Sequence, residues 1–374
     1  MTVLFDKMKK IAIVHDDLVQ FGGAERVLKG ICEIYPEAPI FTSVYDCENP
    51  ELQKRFGDKD IRTSFLQKIP GWKSFYKGML PLYGLAFEQF NFDGYDLVIS
   101  HTTRFAKSII TKPETKHICY CHTPPRFLWH FSGEKSYGIL EFLLTKLRIY
   151  DRVASTRVDE FIAGSENAKK RIEKIYRRDA VVVYPYVEMN RFSSKGRPAF
   201  GWESWDGGYF VVIARLNKYK RVDLAIKACL ELGLELKVVG TGPEGDRLRE
   251  IKGDSGDLGK VEFLGNLNDG QVVQVLAGCK ALIVPGVEDF GLTPLEAQAL
   301  GKPVIAFREG GTLETVIENQ TGIFFTEQTV ESLKKALSSK DLDHCQPEKC
   351  IENARKFSKE KFMENFKKTI KSLV

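Results

Sequence analysis

Apolar and polar positions alternate in blocks along the chain, short β-branched runs followed by longer stretches with apolar residues at helical spacing. That alternation is the pattern of βαβ units, in which a buried parallel strand feeds a helix that covers the sheet. In the first half the runs predict strands over Ile11–His15, Asp96–Ser100, His117–Cys121 and Phe161–Gly164. In the second half they predict Tyr209–Ala214, Leu236–Gly240, Ala281–Pro285, Val304–Phe307 and Gly322–Phe325. Between the two sets, the stretch from Pro185 to Gly208 loses periodicity and is rich in Pro, Gly, Ser and aromatic residues, as an interdomain linker would be. The expected organisation is an α/β domain over 1–187, a linker over 188–208 and a second α/β domain over 209–355. From Pro347 onward the chain is charged and helical in pattern, and a last helix over 356–374 is expected to cross back to the first domain.

Composition narrows the class. A chain of 374 residues suits two domains of ordinary size, and 43% hydrophobic with 28% charged residues is a globular balance. A net charge of +5 is too mild and too dispersed to demand nucleic acid, but it suits anionic ligands such as nucleotide diphosphates. No run of about eighteen apolar residues occurs, so no membrane-spanning helix is expected. Met1 to Lys10 has charges on both sides of a short apolar patch and no small-residue cleavage site, which predicts a ragged N-terminus rather than a signal peptide. Eight cysteines without a framework of spacings favour a reducing, cytoplasmic setting.

One segment departs from the βαβ pattern. Over 65–92, Phe65, Trp72, Phe75, Tyr76, Tyr83 and Phe90 are interleaved with Lys68, Lys73 and Lys77. Rings beside lysines suit contact with the inner face of a membrane, where ammonium groups meet anionic lipid. The alternative is a helical hairpin packed on its own domain with its lysines in water.

The densest chemistry starts at a predicted strand end, in PGVEDFGLTPLEA over 285–297. A strand runs into a glycine-containing turn, and a helix is predicted to begin near Thr293 with Pro294 at its first position. Backbone N–H groups around Gly291, Leu292 and Thr293 would then offer an anion site, and Gly291 allows close approach. Glu288 and Glu296, eight apart, can each accept two hydrogen bonds from a hydroxyl pair, as on a sugar or ribose. For Glu296 a second reading stays open, because Thr293-x-x-Glu296 is also a capping box. After the first strand of the second domain comes ARLNKYKR, where Arg215 and Lys220 could clamp a diphosphate, Arg215 by its fork and Lys220 as a point charge. Such cations stabilise a departing nucleoside diphosphate more than the ground state.

These motifs jointly resemble one family. E-x7-E within PGVEDFGLTPLEAQALGKPVIA, with ARLNKYKRVDLAI and VVGTGPEGDRL, is similar to the retaining GT-B glycosyltransferases of family 4 type. The likeness extends to FGGAERVL at Phe21–Leu28 and CHTPPRFLW at Cys121–Trp129, and covers residues 9–370. It implies two Rossmann-like, doubly wound domains facing a cleft. It further implies that Arg215 and Lys220 hold the diphosphate and that Glu288 orients the transferred sugar with the backbone of Phe290, Gly291 and Leu292. Glu296 would bind the ribose, and Gly265 and Asn266 would recognise the base. Gly23 and His122 would face the donor, with Gly22 and Asp16 on the acceptor side. The catalytic pair implied is His122 and Glu288. FGGAERVL and CHTPPRFLW resemble bacterial mannosyltransferases of O-antigen and related polysaccharides, implying mannose from GDP-mannose and a saccharide or polyprenyl-linked acceptor. UDP-glucose, UDP-N-acetylglucosamine and UDP-galactose remain open as donors. Glu188 departs from the pattern, the family more often having Asp there.

No metal or other cofactor is expected. His117, Cys119 and Cys121 alternate on a strand with His122 beside them, but neighbours two apart lie about 7 Å apart, too far for a compact tetrahedral zinc site. Asp58-Lys59-Asp60 is formally the D-x-D by which another glycosyltransferase architecture binds manganese, but no apolar strand precedes it, and it is expected on the surface. Three rivals stay in view: an epimerase on the same architecture, a non-catalytic nucleotide-sugar or lipid-binding partner, and an NAD-dependent oxidoreductase. The last lacks a G-x-G-x-x-G after its first strand.

Overall fold

The structure, a computed structural model, describes residues 10–129, 139–194, 197–198, 208–253 and 260–374. The chain divides into two compact units, Met1–Pro185 with Phe362–Val374, and Tyr186–Lys361.

The first unit is built on a seven-stranded parallel sheet: β1 Ile11–His15, β2 Ile40–Thr42, β3 Ile61–Thr63, β4 Leu97–Thr102, β5 Lys116–Cys121, β6 Glu160–Ala163 and β7 Ala180–Val182. Its order is β3-β2-β1-β4-β5-β6-β7, so the direction of winding reverses between β1 and β4. Loops leaving the carboxyl ends of strands at such a reversal form the ligand crevice of doubly wound sheets. The four predicted strands are present within two residues at each end. β2, β3 and β7 are three residues each, too short to show a period against their surroundings. Their helices are α1 Gly23–Ile34, α2 Pro50–Phe56, α3 Trp72–Phe75, α4 Leu80–Glu88, α5 Ile139–Ser155 and α6 Glu166–Tyr176. Local chemistry starts several of them. Asn49 accepts from the Glu51 and Leu52 amides with Pro50 at the first position of α2, and Ser165 caps α6 by accepting from the Ala168 amide.

The 65–92 segment is largely core. Trp72 and Tyr83 are buried, and Phe65, Tyr76 and Phe90 pack against the cluster formed by Val14, Phe41, Phe87 and Phe105. Lys73 is held by Asp46 and Glu48, each at 2.6 Å. Phe75, Leu82 and Leu85 are exposed. Five of the six rings therefore follow the packed reading, Phe75 alone standing exposed, and no helix among the described residues is long and apolar enough to cross a membrane.

The second unit carries a six-stranded parallel sheet: β8 Tyr209–Ile213, β9 Glu235–Val239, β10 Val261–Gly265, β11 Cys279–Val284, β12 Val304–Phe307 and β13 Gly322–Phe325. Its order, β10-β9-β8-β11-β12-β13, reverses between β8 and β11. Helices α7 Val222–Glu231, α8 Gly245–Gly253, α9 Asp269–Ala277, α10 Leu292–Ala299, α11 Thr312–Thr315, α12 Val330–Leu337 and α13 Pro347–Arg355 accompany it. Part of the stretch read as a linker is built into this unit. Tyr186, Val187 and Phe192 are buried, and the Val187 amide donates to the Phe357 carbonyl at 2.9 Å. The rest of that stretch, 195–196 and 199–207, lies outside the described residues.

The last helix, α14, runs Lys359–Leu373, and its residues from Phe362 onward belong to the first unit. Phe362, Phe366 and Ile370, spaced by four, are buried, and both rings meet Tyr120 at centroid distances of 6.3 and 6.0 Å. Both units are thus Rossmann-like α/β folds.

Candidate functional site

In the second unit the two loops at the winding reversal touch. Gly286 follows β11, and a Cβ there would stand 2.5 Å from the Tyr219 carbonyl oxygen and 2.7 Å from the Lys220 Cα. Only glycine lets the Pro285–Gly291 turn lie against the loop that follows β8. The turn is anchored on its other side, where the Gly311 amide donates to the Glu288 carbonyl at 2.8 Å. This double seating brings together two residues 68 apart: Lys220 Nζ donates to both Glu288 carboxylate oxygens, at 2.6 and 2.7 Å. Both side chains are mostly covered, so the pair is less screened than a surface bridge. Arg215 lies on the same loop and is exposed.

Gly291 takes a left-handed conformation (φ 104°) and is the residue before α10, whose first turn has no side-chain cap. The helix begins at Leu292, not Thr293, and Pro294 stands third. Thr293 is therefore inside the helix, and the capping-box reading of Glu296 does not hold. Glu296 is met instead by Arg191, whose Nη1 donates to Oε1 at 3.1 Å while Nη2 pairs with Asp269 at 3.1 Å. Phe290 is buried against Phe357, so only its backbone is available to a ligand. Gly265 ends β10 with φ 67°, its carbonyl accepting from the Gly240 amide at 2.7 Å, and Asn266 beside it is exposed.

In the first unit the candidate residues also gather at the winding reversal. Gly22 precedes α1, Gly23 is its first residue, and the Gly22 amide donates to Glu25 Oε2 at 2.7 Å. His122 follows β5; its Nε2 lies 2.8 Å from His101 Nε2, and His101 Nδ1 lies 3.0 Å from His15 Nδ1. His15 Nε2 is 3.7 Å from Glu25 Oε1. Burial alone would lower His15, but Glu25, with Asp16 and Asp17 beside it, raises it above the ordinary histidine value. Burial, then the neighbouring His122 and His15, hold His101 well below that value.

Asp16 is 1% exposed, and its two carboxylate oxygens accept from the Thr102 hydroxyl, the Thr103 amide and hydroxyl, and the Phe105 and Ala106 amides. Burial would raise this carboxyl, yet Arg104, His15 and the Thr103 and Ala106 amides hold it below its ordinary value. With its lone pairs so engaged, Asp16 braces the loop after β4.

Outside these clusters, His117 Nε2 meets the Ser100 hydroxyl at 2.8 Å and its Nδ1 meets the Arg157 carbonyl at 3.3 Å. Burial pushes it down to about 4. Cys119 and Cys121 are buried in the hydrophobic core. Among the described residues, no group of three His, Cys, Asp or Glu is arranged to hold a metal ion. Asp58 and Asp60 are exposed, and Asp60 pairs with Arg62. The sequence reading missed Arg191, His15, His101 and Glu25. His15 and His101 did carry a signal, since each sits at or just after the end of a predicted strand.

Two family models match the chain, one per unit: Glycosyltransferase Family 4 over residues 21–191 and Glycosyl transferases group 1 over residues 204–357. Alpha-1,3/1,6-mannosyltransferase ALG2 of Dictyostelium discoideum is 23% identical over 98% of this chain and 99% of its own length. An uncharacterized glycosyltransferase of Methanocaldococcus jannaschii, MJ1178, is 26% identical over 61% of this chain, and the match takes in 64% of that relative. The crystal structure of Anabaena HepE in complex with UDP-glucose shares the fold, with a TM-score of 0.71 at 18% identity over 97% of this chain and 99% of that one. With a glycosyltransferase model on each of its Rossmann-like units, the chain belongs to the GT-B glycosyltransferases of family 4 type.

Proposed function

We propose that the chain transfers a hexose, with retention at the anomeric carbon, from a nucleoside diphosphate sugar to a saccharide or lipid-linked saccharide. The observation that carries this reading is the pairing of Lys220 with Glu288 beside the uncapped start of α10. A cation, a carboxylate and a set of helix-end amides suit, in turn, a diphosphate, the hydroxyls of a sugar and an anionic oxygen. Arg215 adds a second positive charge to the diphosphate, and Glu296, oriented by Arg191, takes the ribose. Gly265 and Asn266 meet the base. The cations stabilise the leaving diphosphate as its charge grows, and a leaving phosphate oxygen takes the proton of the acceptor hydroxyl, so no separate side-chain base is needed. His122 is the histidine that meets the donor sugar. Asp16 enters as the brace of its loop, and no metal is required.

Mannose from GDP-mannose is the donor we favour, supported by likeness to a mannosyltransferase along 98% of the chain. A UDP-sugar is the second reading, favoured by the HepE complex with UDP-glucose. The acceptor is saccharide or polyprenyl-linked, reached from the inner membrane face, where exposed Phe75, Leu82 and Leu85 would meet lipid. A donor screen decides: purified chain is given GDP-mannose, UDP-glucose, UDP-N-acetylglucosamine and UDP-galactose, and nucleoside diphosphate release is measured. Release from GDP-mannose alone is expected. Preference for a UDP-sugar would move the donor assignment, and no release or binding of any of the four would sink the reading.

A further inference from the structure

Three histidines far apart in sequence stand in a row at the carboxyl edge of three neighbouring strands. His15 ends β1, His101 lies in β4 directly opposite it in the parallel register, and His122 follows β5. His15 and His101 are buried, as is Glu25 at the near end. Tyr120 backs the row, stacked on His101 at 5.5 Å and edge-on to His122 at 5.1 Å. We propose that His15 and His101, with the Glu25 carboxylate 3.7 Å from the outer nitrogen of His15, form a directed hydrogen-bond string that fixes the tautomer of His122, with Nε2 as acceptor and Nδ1 as the N–H. The proposal rests on the reading that His122 meets the donor sugar, and it makes His15 and His101 positioning residues for that group.

The direction follows from what each nitrogen faces. A nitrogen-to-nitrogen hydrogen bond needs one N–H and one lone pair, and a neutral imidazole has one of each. His15 Nδ1 lies 3.2 Å from the His101 carbonyl oxygen, which can only accept, so His15 Nδ1 carries a hydrogen. His101 Nδ1, 3.0 Å from that same N–H, is then the acceptor. His101 must hold its own hydrogen on Nε2 and donate it to His122 Nε2 at 2.8 Å. That leaves His122 with its hydrogen on Nδ1. The other nitrogen of His15 faces the Glu25 carboxylate, which the Gly22 amide holds in place. Asp16 and Asp17 flank His15, and Arg104, from the loop after β4, pairs with Asp17. This acidic end favours a His15 protonated on both nitrogens, while burial beside two other imidazoles favours a neutral His101. At Nδ1, His122 then carries a donor and not a base.

The test is nitrogen-15 spectroscopy of the imidazoles in the full chain, labelled at histidine, at pH 7. The expected spectrum gives His122 an N–H at Nδ1 and a bare Nε2, His101 the reverse, and His15 an N–H at Nδ1. In His101→Leu, His122 should lose this fixed state and take up Nε2–H. In His101→Gln, whose amide oxygen accepts and whose amide N–H donates, the Nδ1–H form should persist. Transfer kcat should fall at least about ten-fold in His101→Leu and recover in His101→Gln, with the donor KM little changed. A His122 that carries its hydrogen on Nε2 in the unaltered chain, or keeps Nδ1–H in His101→Leu, overturns the string. The unaltered spectrum and His101→Gln decide the matter even if His101→Leu does not fold. Because the spectra need no turnover, a correct string in a chain that transfers no sugar would count against the functional reading alone.

Discussion

Lys220 and Glu288 pair with each other, so a donor that binds both would have to draw each partly away from the other. On the proposed reading, Lys220 would gain phosphate oxygens in place of a carboxylate, and Glu288 would gain hydroxyls. Removing the lysine should therefore hurt nucleotide binding first. Lys220→Ala is expected to weaken GDP binding by about 1.5–3 kcal/mol, the scale of a charge-assisted hydrogen bond, as read by titration calorimetry. An unchanged affinity would remove Lys220 from the diphosphate site. Glu288→Ala should have the opposite profile, abolishing transfer while GDP still binds, since the partner proposed for it on the ligand is the sugar. Wild-type turnover in that variant would reject the role. Glu288 and Lys220 were both legible in the sequence as charges beside strand ends. Their contact was not, because nothing in the spacing says that Gly286 seats one loop on the other.

At the scale of elements, glycine contacts and a helix face decide how firmly the site is held. A Cβ on residue 286 would meet backbone atoms, which have no rotamer to yield, at 2.5 and 2.7 Å. Gly286→Ala should push the two loops apart, lowering GDP affinity together with a loss of about 1–3 kcal/mol of stability, the usual cost of overpacking. Retention of both would show that the loops are not held by this contact. The long strands were readable because a buried parallel strand is a continuous apolar run. β2, β3 and β7 were not, being too short to register. Arg191 was missed for another reason: it lies in a stretch without periodicity, and only the fold shows that its guanidinium joins Glu296 to Asp269. His15 and His101, 86 residues apart, become partners only through the parallel pairing of β1 and β4.

For the whole molecule, the buried histidines set opposing dependences on pH. His15 is raised in the folded chain, so its contribution is fully present below the ordinary histidine value of 6.5 and is lost as pH rises through its folded value. His117 and His101 are lowered, so theirs is present above 6.5 and is lost as pH falls through their folded values. The two slopes meet near pH 6.5, where the histidine contribution to stability should peak. On the acid side His117 can be isolated, because it falls to about 4 and its partners, the Ser100 hydroxyl and the Arg157 carbonyl, do not titrate in that window. A shift of that size should cost about 2 kcal/mol between pH 6.5 and 4.5, at roughly 1.4 kcal/mol per unit. His117→Asn keeps a donor near the Arg157 carbonyl and removes the titration. Urea unfolding followed by circular dichroism should show the acid-side loss shrinking by about that amount in the variant. An identical acid slope in both proteins would mean that burial does not hold His117 neutral.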